Sequence, residues 1–479
     1  MAVSKWLCRS RGIFITSSVD NEFVSVDMTR AFQPLIPAKP TFTEQGLACS
    51  DRYDDLYHSA SGAISQANYV FLAGNGLPER WQKKEQFTIL ETGFGLGNNF
   101  LATWDAWRKD PQRSQMLHFV SFEAHPFSAA DLALMLQHTT SELQPLVNRL
   151  VAQWPVLTPG IHRLEFESGR VTLTLFFGEI ERSSKLMQCQ ADAFYLDGFA
   201  PRVNPAMWSP ELFGQLVRMS APGATAATWC SAAQVRRDLQ NAGFVVERYP
   251  GFAFKRHMIR ASLRPHLGRR LPSKPEGPVV IVGGGIAGAA TAYALAQRGI
   301  ASQVLDPIFS LGLGGAHHGH AAVAITPLLT SDDAPRARLS RAGVLLAWQR
   351  WAPFLNHSLM PTGALTQCFS TSEAQSLAKT IQELGFDTDW VQYIGAGQRL
   401  EPNGIALRYG GAYFSKGLTV YPELLLQQLL SHPLITPVAA RVCAVENQHG
   451  MWHLTTEQHG EIRTEQVVLA NAAGSKSLL

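Results

Sequence analysis

Two glycine-rich segments, about 190 residues apart, are the parts of this 479-residue chain best suited to hold nucleotides. The first, residues 91–97 (ETGFGLG), follows the apolar run 87–90, and the second, residues 283–288 (GGGIAG), follows the apolar run 279–282. Glycines at the turn from a buried strand into a helix let bare backbone approach a nucleotide. The two segments differ in kind, so the sequence predicts two cofactor sites and two reactions on one substrate.

The first segment has the character of a site for S-adenosylmethionine. A carboxylate at the end of the first strand suits a cationic methionine group, whereas a pyrophosphate would favour amide donors with no acid nearby. The acid that ends the next strand is placed to bond the ribose hydroxyls, and a third acid is expected to receive the adenine amino group. A structural turn with ordinary surface acids is the alternative. The predicted cofactor contacts are Glu91, Gly93, Gly95, Gly97, Glu123 and Glu179.

Asp197 is the predicted catalytic residue of this first site. It lies in the segment 195–201 (YLDGFAP), at the end of a fourth strand, and ligands of open parallel sheets bind at the carboxyl ends of strands. An amine attacks a methyl sulfonium only when it is neutral, so a carboxylate there would orient the amine and take its proton. A helix N-cap or a turn is the alternative role for Asp197. The loop expected to wall the acceptor pocket carries Asn204, Pro205, Met207 and Trp208.

The second segment is a dinucleotide fingerprint complete with its acid. Gly283, Gly285 and Gly288 have the required spacing, and Asp306 ends the following apolar run 303–305. A pyrophosphate would lie at the helix N-terminus near residue 286, with Asp306 on the ribose. These residues fit NAD and FAD equally well.

Three histidines occur in a second glycine-rich loop, residues 312–320. No acid or cysteine accompanies His317, His318 and His320 in that loop, so the sequence predicts no metal site. The histidines are expected to form hydrogen bonds near a cofactor phosphate or simply to occupy the loop.

The elements that position these residues alternate between short apolar strands and helices. Such alternation predicts a doubly wound α/β fold. In the first half the strand candidates are 87–91, 118–123, 171–177, 193–197, 224–230 and 257–262, and the helix candidates are 98–109, 127–137, 209–219 and 231–242. The second half opens with a strand, the glycine turn and a helix over 286–298.

Composition shifts divide the chain into four parts. Residues 264–278 contain four prolines and continue neither periodicity, which predicts a linker. Residues 1–19 carry three basic residues and no acid, as a transit peptide would, but their apolar part is short and broken. A disordered extension, or an early start with Met28 as the true first residue, is therefore expected. The predicted division is an extension over 1–40, a methyltransferase domain over 41–263, a linker over 264–277 and a second nucleotide-binding domain over 278–479.

The bulk composition is that of an ordinary globular protein. The apolar share is 46%, the charged share is 16%, and the net charge of +3 says little about partners. Six scattered cysteines without a CxxC pair argue against a zinc site or a disulfide framework and favour a reducing compartment. Residues 279–296 carry no charge and are long enough for a membrane span. The glycine cluster inside them instead favours a buried strand, turn and helix.

Long strings in the first half resemble the methyltransferase half of the bifunctional tRNA 5-methylaminomethyl-2-thiouridine biosynthesis (MnmC) family. The resemblance covers about residues 41–263, and the family usually has Asp where Glu179 stands. It implies Asp197 as the catalytic base and Gly93, Gly95 and Glu123 as cofactor contacts. The strings are residues 69–81 (YVFLAGNGLPERW), 91–95 (ETGFG), 192–208 (DAFYLDGFAPRVNPAMW) and 251–258 (GFAFKRHM).

The second half resembles the D-amino-acid-oxidase-like flavoproteins and the oxidase half of the same family. The resemblance rests on residues 324–329 (AITPLL), 410–413 (GGAY), 421–424 (YPEL) and 467–472 (VVLANA). It implies an FAD-binding domain of Rossmann type that oxidises a carboxymethylamino group to an imine, which water hydrolyses to a primary amine. Family members continue beyond the position of Leu479, so this half is expected to be incomplete and its hold on FAD weak.

Taken together, the resemblance implies a cytoplasmic bifunctional enzyme that modifies the wobble uridine of tRNA. FAD-dependent removal of a carboxymethyl group would precede methylation of the freed amine by S-adenosylmethionine. A flipped-out base is expected, because an anticodon loop is single-stranded. Two alternatives remain open at this point: a tRNA methyltransferase with an inactive flavin-fold remnant, and a non-catalytic RNA-binding protein.

A run of basic residues without an intervening acid lies near the end of the first half. Such a run would neutralise phosphates along an RNA backbone, and a solvated linker explains it equally well. Its members are Lys255, Arg256, Arg260, Arg264, Arg269, Arg270 and Lys274.

Overall fold

The computed structural model describes residues 34–137, 139–269, 276–400 and 404–478. Arg270 and Lys274 of the basic run, and most of the predicted N-terminal extension, lie outside these ranges. The strands of the first half are β1 (Cys49–Ser50), β2 (Asp55–Leu56), β3 (Gln86–Glu91), β4 (Met116–Glu123), β5 (Gly160–Phe166), β6 (Val171–Phe177), β7 (Ala191–Tyr195), β8 (Ser220–Thr228), β9 (Phe244–Pro250) and β10 (His257–Leu263). Its helices are α1 (Ala63–Gln66), α2 (Asn98–Lys109), α3 (Ala129–Leu136), α4 (Gln144–Ala152), α5 (Ile180–Leu186), α6 (Pro210–Arg218) and α7 (Ala233–Ala242).

An eight-stranded sheet forms the centre of the first half. Its order is β5-β6-β4-β3-β7-β8-β10-β9, and the strands from β6 to β8 run parallel. The edge strand β5 and the strand β10 run antiparallel to their neighbours. After β3 the chain forms the strands on one side of it, β4 to β6, and then crosses back to form β7 to β10 on the other side. The β3–β7 boundary is therefore a switch point, where a cleft for a ligand opens at the carboxyl ends of the strands.

The sheet is covered on both faces, which explains why its central strands are almost wholly apolar. In β3, Phe87 and Ile89 belong to one buried cluster and Leu90 to the cluster on the opposite face. Helix α2 packs Phe100 and Trp104 into the first cluster, at 0% exposure each. The glycine turn between β3 and α2 is thus anchored on both sides by core packing.

The second half contains a smaller parallel sheet and several antiparallel ones. The four-stranded sheet has the order β21-β12-β11-β25 and is parallel throughout. The strands are β11 (Val279–Val282), β12 (Ser302–Leu305), β13 (Val323–Ile325), β14 (Leu359–Met360), β15 (Ala364–Gln367), β16 (Val391–Gly395), β17 (Arg399–Leu400), β18 (Ile405–Ala406), β19 (Gly410–Phe414), β20 (Leu418–Val420), β21 (Ile435–Val438), β22 (Val442–Gln448), β23 (Met451–Thr456), β24 (Gly460–Thr464) and β25 (Val467–Leu469). The helices are α8 (Ile286–Ala296), α9 (Pro335–Arg350), α10 (Thr371–Leu384) and α11 (Pro422–Leu430).

The charge-free stretch 279–296 folds as a buried strand, a glycine turn and the eleven-residue helix α8. This is the strand–turn–helix interpretation that the glycines favoured. Among the described residues, no helix combines the length and the apolar character needed to cross a bilayer.

The two halves contact each other directly where β5 meets α9. Glu165 of β5 accepts hydrogen bonds from Arg350 at 3.1 Å and from Arg298 at 3.4 Å. Nearby, the buried Arg341 is held by both oxygens of Asp333 and donates across the boundary to the Pro159 carbonyl at 2.9 Å. Charged and polar groups therefore fix this boundary.

Candidate functional site

The turn after β3 is shaped by its glycines and by hydrogen bonds to β7. The amide of Thr92 donates to the Tyr195 carbonyl at 3.0 Å, and its hydroxyl donates to the Asp197 carbonyl at 2.6 Å. Gly95 has φ = 53°, in the left-handed region. A Cβ at Gly93 would lie 3.1 Å from the Asp197 carbonyl oxygen, so a side chain there would press on the β7 end.

A cavity of about 650 Å³ opens above this turn, a size typical of small-molecule sites. Five predicted residues line it: Gly93, Gly95, Glu123, Glu179 and Asp197. Glu91 and Gly97 are buried and lie outside the lining. From the expected acceptor loop, Asn204 and Met207 line the cavity, and Trp208 is buried behind them.

Glu123, at the end of β4, holds two backbone segments that line the cavity. One carboxylate oxygen accepts from the Gly95 amide and the other from the His125 amide, both at 2.8 Å. Burial raises the pKa of Glu123, while these two amide donors oppose the rise. A carboxylate at the carboxyl end of the second strand is the group that bonds a ribose in nucleotide sites of this topology.

Asp197 has a fixed carboxylate at the cavity wall. Its Oδ1 accepts from the Gly198 amide at 2.9 Å and from Trp229 Nε1 at 3.1 Å, and its Oδ2 accepts from Asn99 Nδ2 at 2.7 Å. Burial raises the pKa of Asp197 to about 6, against the lowering effect of these donors. The group is therefore a poised proton acceptor near neutral pH.

Asn99 connects Asp197 to Glu91 and was missed by the sequence analysis. Its Nδ2 also donates to Glu91 Oε1 at 2.8 Å, and Ser121 donates to Glu91 Oε2 at 2.7 Å. Burial and the nearby Asp197 raise the pKa of Glu91 well above its usual range. Glu91 thus lies beneath the turn as part of a buried polar network. Asn98 and Asn99, adjacent polar residues directly after the glycines, were the sequence feature that could have pointed to this residue.

Aromatic side chains form another wall of the cavity. Tyr53 stacks on Phe199 with ring centroids 4.7 Å apart, and Tyr57 meets the edge of the same ring at 5.3 Å. Residues 36–39, which the sequence analysis assigned to the N-terminal extension, also line the cavity. The Ile36 carbonyl lies 2.8 Å from His125 Nδ1.

The second glycine turn has the close approaches that its fingerprint requires. A Cβ on Gly288 would overlap the Gly283 carbonyl oxygen, and Gly283 itself has φ = 108°. Beside Gly285, by contrast, a Cβ would meet nothing within 4 Å. This open space lies at the N-terminus of α8, where backbone amides favour a phosphate. The residues present therefore fit the diphosphate of a dinucleotide.

Asp306 follows β12 and supports the same turn. Its Oδ2 accepts from the Gly284 amide at 2.8 Å and its Oδ1 from the Ile308 amide at 3.0 Å. His317 and His320 pair through their Nδ1 atoms at 3.1 Å, and His318 lies 3.3 Å from Glu423. Within the described ranges no group of three or more His, Cys, Asp or Glu side chains is arranged to hold a metal ion.

Two family models match the chain, one in each half. The model for an S-adenosyl-L-methionine-dependent methyltransferase matches residues 141–264, and that for an FAD dependent oxidoreductase matches residues 278–479. These matches indicate S-adenosylmethionine and FAD as the cofactors. A solved structure of MNMC2 from Aquifex aeolicus is similar at a TM-score of 0.40, with 22% identity, 50% of this chain and 73% of that chain covered.

Curated relatives match across both halves and carry one name, tRNA 5-methylaminomethyl-2-thiouridine biosynthesis bifunctional protein MnmC. The Azoarcus sp. (strain BH72) protein is 43% identical over 403 residues, covering 83% of this chain and 63% of the relative. The Cupriavidus necator protein is 40% identical over 467 residues, covering 94% of this chain and 70% of the relative. The chain thus spans about two thirds of the length of these relatives. With this identity across both cofactor-binding halves, the chain belongs to the MnmC family of bifunctional tRNA 5-methylaminomethyl-2-thiouridine biosynthesis proteins.

Proposed function

We propose that the first half transfers a methyl group from S-adenosylmethionine to the primary amine of an aminomethyluridine in tRNA. S-adenosylmethionine supplies an electrophilic methyl group at its sulfonium. The single observation that carries the proposal is the Asp197 carboxylate, fixed by three donors at the wall of the cavity above the glycine turn. Asp197 orients the neutral amine and takes the proton that the amine loses as the new carbon–nitrogen bond forms.

Other residues of the cavity have binding roles in this proposal. Gly93 and Gly95 allow the backbone to approach the cofactor, Glu123 bonds its ribose, and Glu179 receives its adenine amino group. Glu91 does not contact the cofactor directly in this proposal. It lies beneath the turn and holds Asn99, which in turn donates to Asp197. The substrate is the wobble uridine of tRNA, which puts the enzyme in the cytoplasm.

The second half, in the same proposal, binds FAD and removes the carboxymethyl group from the carboxymethylaminomethyl precursor. FAD supplies a two-electron oxidant. Gly283, Gly285 and Gly288 receive its diphosphate at the start of α8, and Asp306 contacts its adenosine ribose. The product of this half is the primary amine that the first half methylates.

The test is nucleoside mass spectrometry of tRNA incubated with the full chain and S-adenosylmethionine. tRNA bearing the aminomethyl group should gain one methyl group per wobble uridine, and Asp197→Ala should lower turnover by roughly two to four decades. Calorimetry should show S-adenosylmethionine bound with little change in that variant. Turnover near wild type in Asp197→Ala would remove Asp197 from the mechanism, and no methylation by the wild type would refute the activity itself.

Flavin absorbance and conversion of the carboxymethylaminomethyl nucleoside test the second half. Bound flavin with conversion supports the bifunctional enzyme. Methylation without bound flavin and without conversion would indicate a tRNA methyltransferase only. RNA binding without either reaction would indicate a non-catalytic RNA-binding protein.

A further inference from the structure

The turn between β9 and β10 presents an exposed aromatic ring at the rim of the cavity. Phe254 is 95% exposed, the greatest exposure among the large hydrophobic side chains in the described part of the chain. The same residue contributes to the cavity lining, together with its neighbours Phe252 and Lys255. Full exposure of a phenylalanine leaves its apolar surface in water, so this ring is placed to receive a partner.

The turn that carries Phe254 is tightly built. The Gly251 amide donates to the Arg256 carbonyl at 3.3 Å, and the Lys255 amide donates to the Phe252 carbonyl at 3.0 Å. Ala253 has φ = 50°, in the left-handed region. A side chain on Gly251 would overlap the Lys255 carbonyl. The backbone of the turn thus has a defined conformation, and the Phe254 side chain on it is exposed.

Lys255, which follows Phe254 in the chain, contacts the wall that carries Asp197. Lys255 Nζ lies 4.8 Å from the centre of the Trp229 ring, and Trp229 Nε1 donates to Asp197. The ring of Phe254 therefore belongs to the same site as Asp197, at its outer edge.

The charges around the ring favour a polyanion. Lys255 and Arg256, the next two residues of the same turn, are exposed, and no acid occurs in residues 251–256. A flat apolar ring flanked by cations is the combination that binds single-stranded nucleic acid, in which bases stack on aromatics and phosphates meet basic side chains.

We propose that Phe254 stacks on a nucleobase of single-stranded RNA next to the nucleotide that enters the cavity, while Lys255 and Arg256 bind the flanking phosphates. This inference rests on the proposed function for the identity of the polymer. It assigns substrate selection at the mouth of the site to residues of the turn between β9 and β10.

The first experiment measures binding of a fluorescein-labelled RNA hairpin, with the sequence of an anticodon arm, to the full chain. Phe254→Ala should weaken binding roughly 5- to 150-fold, the range for loss of one stacked base. Phe254→Tyr should bind like the wild type, and Phe254→Leu should remain weak because it lacks a ring. Phe369→Ala, which removes a 79% exposed phenylalanine from the second half, is the matched control and should change nothing.

The salt dependence of RNA affinity distinguishes the contribution of Lys255 and Arg256 from that of the Phe254 ring. Lys255→Ala and Arg256→Ala should each reduce the slope of log affinity against log salt by about one, whereas Phe254→Ala should leave the slope unchanged. The affinity for S-adenosylmethionine should stay constant in all variants. Wild-type RNA affinity in Phe254→Ala, or an equal loss in Phe369→Ala, would overturn the inference even if the wild type methylates tRNA as proposed.

Discussion

Asp197 combines a raised pKa with three hydrogen-bond donors, so its donors should set the pH dependence of methyl transfer. Burial raises the pKa to about 6, and each donor lowers it by favouring the charged form. Below this pKa the carboxyl group is already protonated and cannot take the amine proton. Turnover is therefore expected to fall on acidification through about pH 6.

Replacing Trp229 by Phe should move this acidic limb to higher pH. The substitution keeps an aromatic ring beneath Lys255 but removes the Nε1 donor to Asp197, so the pKa of Asp197 rises. With one hydrogen bond of about 1 kcal/mol lost, the pKa of Asp197 should rise by about 0.7 unit. kcat/KM should then drop roughly fivefold well below pH 6 and about threefold at pH 6, and it should recover at higher pH. The measurement is kcat/KM for tRNA across pH.

Trp208→Phe is the matched control for that prediction. Trp208 packs edge-on to Trp229 at 6.5 Å, but its Nε1 donates to the Phe199 carbonyl rather than to Asp197. Its pH profile should follow the wild type. Superimposable profiles for Trp229→Phe and wild type would show that the indole donor does not tune Asp197.

At the scale of elements, the turn between β3 and α2 is expected to tolerate no side chain at Gly95. Its left-handed φ disfavours a β-branched residue, and its amide must remain directed at Glu123. Gly95→Val should abolish S-adenosylmethionine binding by calorimetry. Gly214→Val, at an exposed helical position with nothing within 4 Å, is the control and should bind normally. Unchanged affinity in Gly95→Val would place the cofactor away from this turn.

The second glycine turn allows folding and flavin binding to be separated. Gly288→Ala overlaps the Gly283 carbonyl and should destabilise the second half, with loss of flavin. Gly285→Ala adds a methyl group in open space at the start of α8, so folding should persist while the approach of a diphosphate is blocked. Circular dichroism and flavin absorbance report the two effects. Equal flavin content in Gly285→Ala and wild type would contradict the assigned position of the diphosphate.

Much of this element pattern could be predicted from the sequence, and the omissions have a physical cause. Strands β3, β4, β6 and β7 are mainly apolar and mostly buried, because both faces of the sheet are covered. The edge strand β5 alternates buried residues with partly buried ones such as Arg163 and Glu165, and it was not predicted. Glu123 and Asp197, which ended predicted strands, line the cavity, whereas Glu91 lies beneath it. Asn99 and Trp229 reach Asp197 from other elements, and the local sequence does not reveal that partner.

At the scale of the whole molecule, the two halves are joined by an ion-pair cluster as well as by the chain between them. Glu165 is 10% exposed and faces Arg350 and Arg298 from the second half and Arg163 from its own strand. Burial alone would raise the pKa of Glu165, but Arg350 and the other two arginines hold it below its usual range. A carboxyl group with a depressed folded-state pKa stabilises the fold above its unfolded pKa and loses that effect as pH falls through the folded value.

Glu165→Gln should therefore weaken the junction at neutral pH. Three guanidinium groups would remain together without their carboxylate, which costs about 1–3 kcal/mol for a partly buried cluster. Calorimetry at pH 7 should show a lower melting temperature for the variant. The difference from wild type should shrink as pH falls below the ordinary range of a glutamate towards the depressed pKa at which Glu165 itself becomes protonated. Glu383→Gln, which removes the exposed partner of Lys379 in α10, is the control and should leave melting unchanged. A difference that persists undiminished at low pH would mean that the side chain acts through packing, and the ion-pair account of the junction would fail.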